Sequence, residues 1–184
     1  MIGKHNLKNI LAAVSASLIS DISPQKIEDG IRSFQPLAHR LEFVGTYCGI
    51  DFVNDSISTI PESTLEALNT VKNVDILILG GFDRGIDYTI IIDYLIKCPV
   101  KNILLTGPAG IRIKEMIETG AGKKPRLQLF EDYNELSDII LQIAVNGSTC
   151  LLSPAASSYD KFNNFEERGN AFKKMARHLG ESCH

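Results

Sequence analysis

The chain has 184 residues, of which 44% are hydrophobic and 22% charged, and its formal net charge is −3. This length suits one domain, or one domain with an appendage, and supplies enough apolar residues for a sizeable core. The acidic balance argues against a nucleic-acid binder. No signal-peptide cleavage pattern and no run approaching a membrane span occurs, so the sequence predicts a soluble, cytoplasmic protein without a membrane partner.

The cysteine pattern does not resemble that of a disulfide-rich domain or a zinc site. Cys48, Cys98, Cys150 and Cys183 are widely separated and form no C-x-x-C pair. Cysteines that hold small secreted domains together, or that bind zinc, are spaced differently. We therefore expect four reduced thiols.

The N-terminal segment is predicted to form two helices. Apolar residues recur at helical spacing through residues 6–19. A second helix is expected to begin with Ser23 as its N-cap and Pro24 at its first position, and to end near Phe34. Two helices of this size cannot bury their apolar faces alone. They either pack on the remainder of the chain or form the end of a larger domain.

From residue 41 the pattern changes to strands and then to alternating strands and helices. Two short alternating runs separated by Cys48-Gly49 predict a β-hairpin. Nearly continuous apolar runs at 75–79, 100–105, 126–129 and 149–152 are typical of strands buried on both faces of a parallel sheet. Helices are predicted at 61–71, 89–96, 111–119, 133–145 and 165–179. The alternation predicts an α/β fold: a Rossmann-like, mostly parallel sheet flanked by helices.

Ligands of such sheets bind beyond the carboxyl ends of the strands, and three turns there carry polar residues. The first turn, N-D-S-I-S-T at 54–59, follows the hairpin. Asp55 could accept hydrogen bonds from a ribose diol, or it could brace the turn. Thr59 and Glu62 also match a capping box for the next helix, which would explain both residues without a ligand.

The second turn, G-G-F-D-R-G at 80–85, follows the 75–79 run. Its glycines permit close approach of the backbone to a ligand, and Arg84 could bind a carboxylate with two hydrogen bonds. Taken alone, the turn is better explained by a glycine bend with a solvated arginine than by a ligand site. It does not match G-x-G-x-x-G, so a dinucleotide fingerprint is absent.

The third turn, S-P-A-A-S-S-Y-D at 153–160, follows the last strand. Asn163 or Asn164 can cap the helix that begins at Phe165, with Glu166 or Glu167 completing the capping box. The start of this helix is also a natural seat for an anion. No Ser-His-Asp, Cys-His or H-E-x-x-H arrangement occurs, so covalent and zinc catalysis are not predicted.

Five segments, taken in order, resemble the Mur ligases, and in particular the members that add D-glutamate to UDP-N-acetylmuramoyl-L-alanine. The segments are G-K-H-N-L-K-N at 3–9, P-L-A-H-R-L-E at 36–42, F-V-N-D-S at 52–56, L-G-G at 79–81 and L-S-P-A-A-S-S-Y-D-K-F-N-N-F-E-E-R-G at 152–169. The resemblance spans nearly the whole chain. It implies that residues 1–35 are a helical remnant of the central ATP-binding domain, and that 36–184 form the C-terminal, amino-acid-binding domain.

The resemblance also implies roles for individual residues. Asn6 and Asn9 match residues near the adenine of ATP, Arg40 matches an arginine that reaches the nucleotide on domain closure, and Asp55 matches a carboxylate that binds the ribose. The residues that correspond to contacts of D-glutamate are Thr59, Arg84, Ser158 and Phe165. Of these, Ser158 and Phe165 are expected to contribute partly through main-chain amides.

Three positions depart from the family pattern. Arg84 stands where a lysine is usual. The arginine keeps the positive charge and can also bind a carboxylate through two hydrogen bonds. Ile57 replaces the lysine of N-D-S-K and so removes a cation near the reacting phosphate. Phe82 occupies a place often held by aspartate. No G-x-x-x-x-G-K-[ST] loop occurs, so the resemblance places most contacts with ATP and magnesium in the missing central domain. It implies that the N-terminal and central domains are partners of this chain.

The implied reaction is ATP-driven amide formation in peptidoglycan biosynthesis, through an acyl phosphate that the amine of D-glutamate attacks. Without its partner domains the chain is expected to be inactive and to hold no catalytic residue of its own. One alternative is the same domain of another Mur or folylpolyglutamate-type ligase. A second is a non-catalytic α/β binding module.

Overall fold

In the computed structural model, the structure describes residues 4–122 and 124–183, without the side chains of residues 4–6. Thirteen elements are present in this part of the chain. In order they are α1 (Lys4–Ile19), α2 (Pro24–Ser33), β1 (Glu42–Tyr47), β2 (Ile50–Asn54), α3 (Pro61–Thr70), β3 (Val74–Gly80), α4 (Thr89–Leu95), β4 (Asn102–Thr106), α5 (Gly107–Thr119), β5 (Arg126–Leu129), α6 (Tyr133–Ile143), β6 (Thr149–Leu152) and α7 (Phe165–Glu181).

Six strands form one sheet in the order β1-β2-β6-β3-β4-β5. The β1–β2 pair is the predicted antiparallel hairpin, and every other pair is parallel. The predicted mostly parallel α/β fold with a hairpin at its start is therefore confirmed. The central strands β3, β4 and β6 are buried at every residue, as continuous apolar runs in parallel sheets predict.

Alternate residues of the strands supply two cores, one on each face of the sheet. Leu77 and Leu79 of β3 face the helices α3, α4 and α5, whereas Ile76 and Ile78 face α6 and α7. This division follows from the two-residue period of a strand, which points neighbouring side chains to opposite faces. Helices on both faces leave the carboxyl ends of the strands open to the turns that follow them.

The N-terminal helices stand apart from this body. Helix α2 has no buried residue, and several large apolar side chains of the segment are exposed. Among these are Leu7, Leu11, Leu18, Ile19, Ile31 and Phe34. In the part of the chain that the structure describes, no helix is long and apolar enough to cross a bilayer.

The cap of α3 and the start of α5 differ from the sequence-based expectation. The N-cap of α3 is Ile60, with Pro61 at the first helical position, so the predicted capping box of Thr59 and Glu62 is wrong. Helix α3 begins at Pro61 as predicted, and a proline at the first helical position makes Ile60 the N-cap and leaves Thr59 in the turn. Helix α5 begins at Gly107 rather than at 111, because Pro108 also suits a first turn.

The expectation of four reduced thiols is wrong for one pair. Cys48, in the hairpin turn, and Cys183, after α7, are joined by a disulfide with their Cα atoms 5.9 Å apart. The fold brings together two residues that are 135 positions apart in the chain, a pairing that spacing alone does not reveal. Cys98 and Cys150 are free.

Candidate functional site

The three polar turns predicted from sequence lie side by side. They follow β2, β6 and β3, which are adjacent in the sheet. The chain passes from β2 to β3 and onward to β5 before it returns to insert β6 between β2 and β3. This reversal is a topological switch point, the place where open α/β sheets bind their ligands.

Backbone hydrogen bonds join the three turns to one another. Phe82 N donates to Ser157 O at 2.9 Å, and Gly80 N donates to Pro154 O at 2.8 Å, which link the turns after β3 and β6. Ala155 N donates to Ser58 O at 3.0 Å, which links the turns after β6 and β2. The turns therefore form one continuous wall rather than three independent loops.

Arg168 lies beneath this wall and is only 2% exposed. Its Nε donates to Ser56 Oγ at 3.0 Å and its Nη2 to Ser56 O at 2.8 Å, whereas its Nη1 donates to Ala156 O at 3.0 Å. A side chain added at Gly81 would come within 3.0 Å of the same Nη1, so the turn after β3 also passes against it. One guanidinium thus bonds two of the turns and lies close to the third.

Sequence reasoning did not single out Arg168, although a signal was present. Arg168 occupies the same helix face as Phe172, Met175 and Leu179, which are all buried. A charged residue within an apolar stripe at helical spacing is buried only when it is bonded. Burial lowers the pKa of Arg168 from its ordinary value.

The four residues predicted to bind D-glutamate are distributed around the wall. Arg84 Nη2 donates to the Thr59 carbonyl at 2.7 Å, so the turns after β2 and β3 meet at these two residues. Arg84 is exposed and keeps further donors for a ligand. Ser158 is 2% exposed in the turn after β6, and the Phe165 carbonyl accepts a hydrogen bond from Ser56 Oγ at 2.8 Å.

The predicted cap of α7 is confirmed. Asn164 is the N-cap, and its side chain accepts a hydrogen bond from Glu167 N at 2.8 Å. The carboxylate of Glu167 in turn accepts a hydrogen bond from Asn163 N at 3.0 Å. These reciprocal bonds fix the start of the helix next to Phe165.

Asp55 is buried and already bonded on both of its carboxylate oxygens. Oδ1 accepts a hydrogen bond from Leu41 N at 3.2 Å, and Oδ2 accepts one from Ser153 Oγ at 2.8 Å. Burial raises the pKa of Asp55, while the bonds from Ser58, Ser153 and Leu41 and the charge of Arg40 oppose that rise. A carboxylate has about four acceptor sites, so capacity for a further donor remains.

Two neighbouring cavities are lined by residues predicted to contact ATP. Asp55, Arg40 and Ile57 line a pocket of about 190 Å³ beside α3. Arg40 also lines a groove of about 900 Å³ along α1 and α2, together with Asn9. Arg40 therefore connects the two spaces. Asn6 belongs to α1, but its side chain lies outside the described residues.

The backbone next to Arg40 is firmly held, although the Arg40 side chain is exposed. His39 is buried, and its Nδ1 lies 2.9 Å from Asn54 Nδ2. Because an amide nitrogen can only donate, Nδ1 accepts this bond and the neutral ring carries its proton on Nε2. Burial, assisted by the positive charge of Lys173, lowers the pKa of His39.

The two other departures from the family pattern lie at the same site. Ile57 is half-buried, and its N donates to the His39 carbonyl at 3.2 Å. Phe82 is 43% exposed beside Ser157. Among the described residues, no group of three or more His, Cys, Asp or Glu side chains is arranged to hold a metal ion.

Sequence comparison places this chain among curated ligases. It is 37% identical over 177 residues to the UDP-N-acetylmuramoylalanine–D-glutamate ligase of Caldanaerobacter subterraneus subsp. tengcongensis, covering 96% of this chain and 39% of that protein. It is 38% identical over 178 residues to the ligase of the same name from Desulfitobacterium hafniense, covering 95% and 38%. The chain thus spans less than two-fifths of the length of these relatives. No family model matches it.

Solved structures share the fold. The UDP-N-acetylmuramate-alanine ligase MurC of Thermotoga maritima superposes with a TM-score of 0.68 at 16% identity, over 97% of this chain and 39% of that chain. MurF of Acinetobacter baumannii superposes with a TM-score of 0.65 at 20% identity, over 94% and 38%. At these identities the likeness supports the architecture alone.

Proposed function

The chain belongs to the Mur ligase family, and we propose that it is the amino-acid-binding domain of a ligase that adds D-glutamate to UDP-N-acetylmuramoyl-L-alanine at the expense of ATP. The relatives that are 37–38% identical to it carry the name of this activity. The observation that carries the proposal is the contact between Arg84 and Thr59, which joins two of the three turns at the switch point.

The chemistry of the wall suits a small dicarboxylic amino acid. Arg84 offers an exposed, planar guanidinium that can hold a carboxylate through two parallel hydrogen bonds. Ser158 adds a hydroxyl, and the start of α7 near Phe165 supplies the positive end of a helix dipole. These two anion-binding positions match the two carboxylates of glutamate. They leave its amine free to act as a nucleophile.

The nucleotide is assigned to the opposite side of the turn after β2. Arg40 and Asp55 share the small pocket, where Asp55 would accept hydrogen bonds from a ribose and Arg40 would neutralise phosphate charge. Asn9, and Asn6 by its place in α1, would lie near the adenine. Ile57 supplies no cation here, so Arg40 and the rest of the enzyme would carry that charge.

The division of the chain follows from the same proposal. Residues 1–35 would be the end of the central ATP-binding domain, and 36–184 the C-terminal domain. The exposed apolar side chains of α1 and α2 support this division, because packing against the rest of a central domain would bury them. The central domain would also supply the phosphate loop and the magnesium ligands.

In the complete enzyme the substrate carboxylate would attack the γ-phosphate of ATP and release ADP. The amine of D-glutamate would then attack the acyl phosphate and release inorganic phosphate, while its proton passes to solvent or to a base. The wall described here would position the amine and exclude water, which would otherwise hydrolyse the acyl phosphate.

Titration of the chain with D-glutamate, followed by amide NMR, tests the proposal. We expect weak binding, with shifts at 56–59, 84 and 157–165. Arg84→Ala should weaken binding about 10- to 100-fold, the value of a charge-assisted pair. Arg126→Ala, which removes an exposed arginine of the edge strand β5, is the matched control and should bind as the wild type does.

Shifts confined to residues remote from these turns, or equal binding of L-glutamate, would contradict the proposal. The chain alone should hydrolyse ATP no faster than a buffer control, since it lacks a phosphate-binding loop. Turnover that a substitution in this chain abolishes would contradict that expectation.

A further inference from the structure

We propose that Arg112 is a positioning residue that keeps Arg84 available to the carboxylate of the incoming amino acid. The inference rests on the proposed function of the site and extends it to a side chain outside the three turns. Arg112 lies on α5, in the second turn of a helix that begins directly after β4. It contacts the segment that carries Arg84.

Three contacts place the Arg112 guanidinium against the 83–88 segment. Its Nε lies 2.9 Å from Asp83 Oδ2, an ion-pair distance, although the N–H is not directed at that oxygen. Its Nη2 donates to the Ile86 carbonyl at 2.5 Å. Its Cζ lies 4.6 Å from the centre of the Tyr88 ring. Arg112 therefore holds the chain on both sides of Arg84.

The platform for these contacts is rigid. Tyr88 is buried, with 1% of its surface exposed, and packs in the core formed with α3, α4 and α5. A cation over an aromatic face is attracted by the ring quadrupole, which adds to the ion pair. Because α5 and Tyr88 are both fixed by core packing, the guanidinium of Arg112 has little freedom to leave the segment.

The pairing with Asp83 matters most for Arg84. Asp83 is its neighbour in sequence, and both charges lie close enough to Tyr88 to act on the pKa of its hydroxyl. If Asp83 lost its partner on α5, its carboxylate would compete with the substrate for the Arg84 guanidinium. Arg112 prevents this competition because its guanidinium, fixed on α5, pairs with the Asp83 carboxylate.

Asp83 also accepts a hydrogen bond within the turn, and the test variant must preserve this bond. Its Oδ1 accepts a hydrogen bond from Gly85 N at 2.9 Å and so shapes the turn. Asparagine retains this acceptor and removes the negative charge. Asp83→Asn therefore separates the competing charge from the geometry of the turn.

The experiment compares D-glutamate binding by Arg112→Gln, Arg112→Lys and the double variant R112Q/D83N, using the chain described here. Lys114→Gln, which removes a cation from the same helix, is the matched control. We expect R112Q to weaken binding about tenfold, roughly the value of one charged hydrogen bond. R112K should lose less, because it keeps the charge without the fork. R112Q/D83N should regain most of the affinity.

A readout independent of the ligand accompanies the titrations. In the free protein, the Arg84 Nε–Hε resonance should move in R112Q, as Asp83 engages Arg84, and should return towards its original position in R112Q/D83N. A residue that only stabilised the fold would not produce this recovery. The thermal midpoints of all variants show whether the fold is intact.

Unchanged binding in R112Q, or a loss that R112Q/D83N does not recover, would overturn the inference. If neither the wild type nor any variant binds D-glutamate, the proposed function fails. The resonance then decides only whether Arg112 keeps Asp83 from pairing with Arg84: movement and return support that positioning role, and an unmoved resonance refutes it.

Discussion

Two regions of this chain place apolar residues in opposite environments. Helices α1 and α2 expose Leu11, Ile19 and Ile31, whereas Leu77 and Leu151 in the sheet body are completely buried. Hydrophobic stabilisation scales with the apolar area removed from water. The body is thus stabilised by its own core. The helical segment displays an apolar face whose contribution depends on what covers it.

Truncation of one leucine in each region tests this difference in burial and should give the largest effect. Leu151→Ala should reduce the free energy of unfolding of the body by about 2–5 kcal/mol, because it opens a cavity in a packed core. Leu11→Ala, which removes the same atoms from an exposed position, should change it by less than about 0.5 kcal/mol. Urea denaturation of both variants measures the difference. Equal losses would mean that α1 is as well packed as the sheet.

Replacement of Arg168 probes how far the stability of the body depends on the candidate site. Arg168→Leu should cost about 3 kcal/mol, because Ser56 O and Ala156 O would lose their donor in a buried place. Arg177→Leu, on the exposed side of the same helix, is the control and should stay within about 0.5 kcal/mol. Thermal unfolding of both variants gives the values. A neutral Arg168→Leu would mean that the three turns hold together without this side chain.

The pH dependence of stability should give the smallest effect. The unfolded chain binds a proton at His39 near pH 6.5, but the folded chain resists it because burial lowers the pKa of this ring. Acidification therefore favours the unfolded state, and stability should fall as the pH decreases through 6.5. Denaturation between pH 7.5 and 5.5 measures the slope, and His39→Gln should flatten it. An identical slope in the variant would assign the effect to other groups.

The sequence predicted the sheet and its turns, since both depend on local patterns. Continuous apolar runs identified β3 and β6, and the Asn163-Asn164 pair predicted the start of α7. The failures concern one local helix cap and contacts between distant residues. The capping box of Thr59 failed because Pro61 fixed the helix start, and the bond from Arg84 to the Thr59 carbonyl depends on the strand order. Arg168 was overlooked because its partners, Ser56 and Ala156, lie in turns that only the fold brings against α7.

The bond between Cys48 and Cys183 closes a covalent ring around the chain from the hairpin turn to the end of α7. Helices α1 and α2 and strand β1 lie outside this ring. A pulling force applied at the two ends could extend only the residues before Cys48, about 160 Å of chain at about 3.5 Å per residue. After reduction the same force could draw out about 640 Å. While the ring is closed, the three turns of the candidate site are mechanically shielded from a load that would strip away the N-terminal helices, whereas Asn9 and Arg40 precede Cys48 and are not.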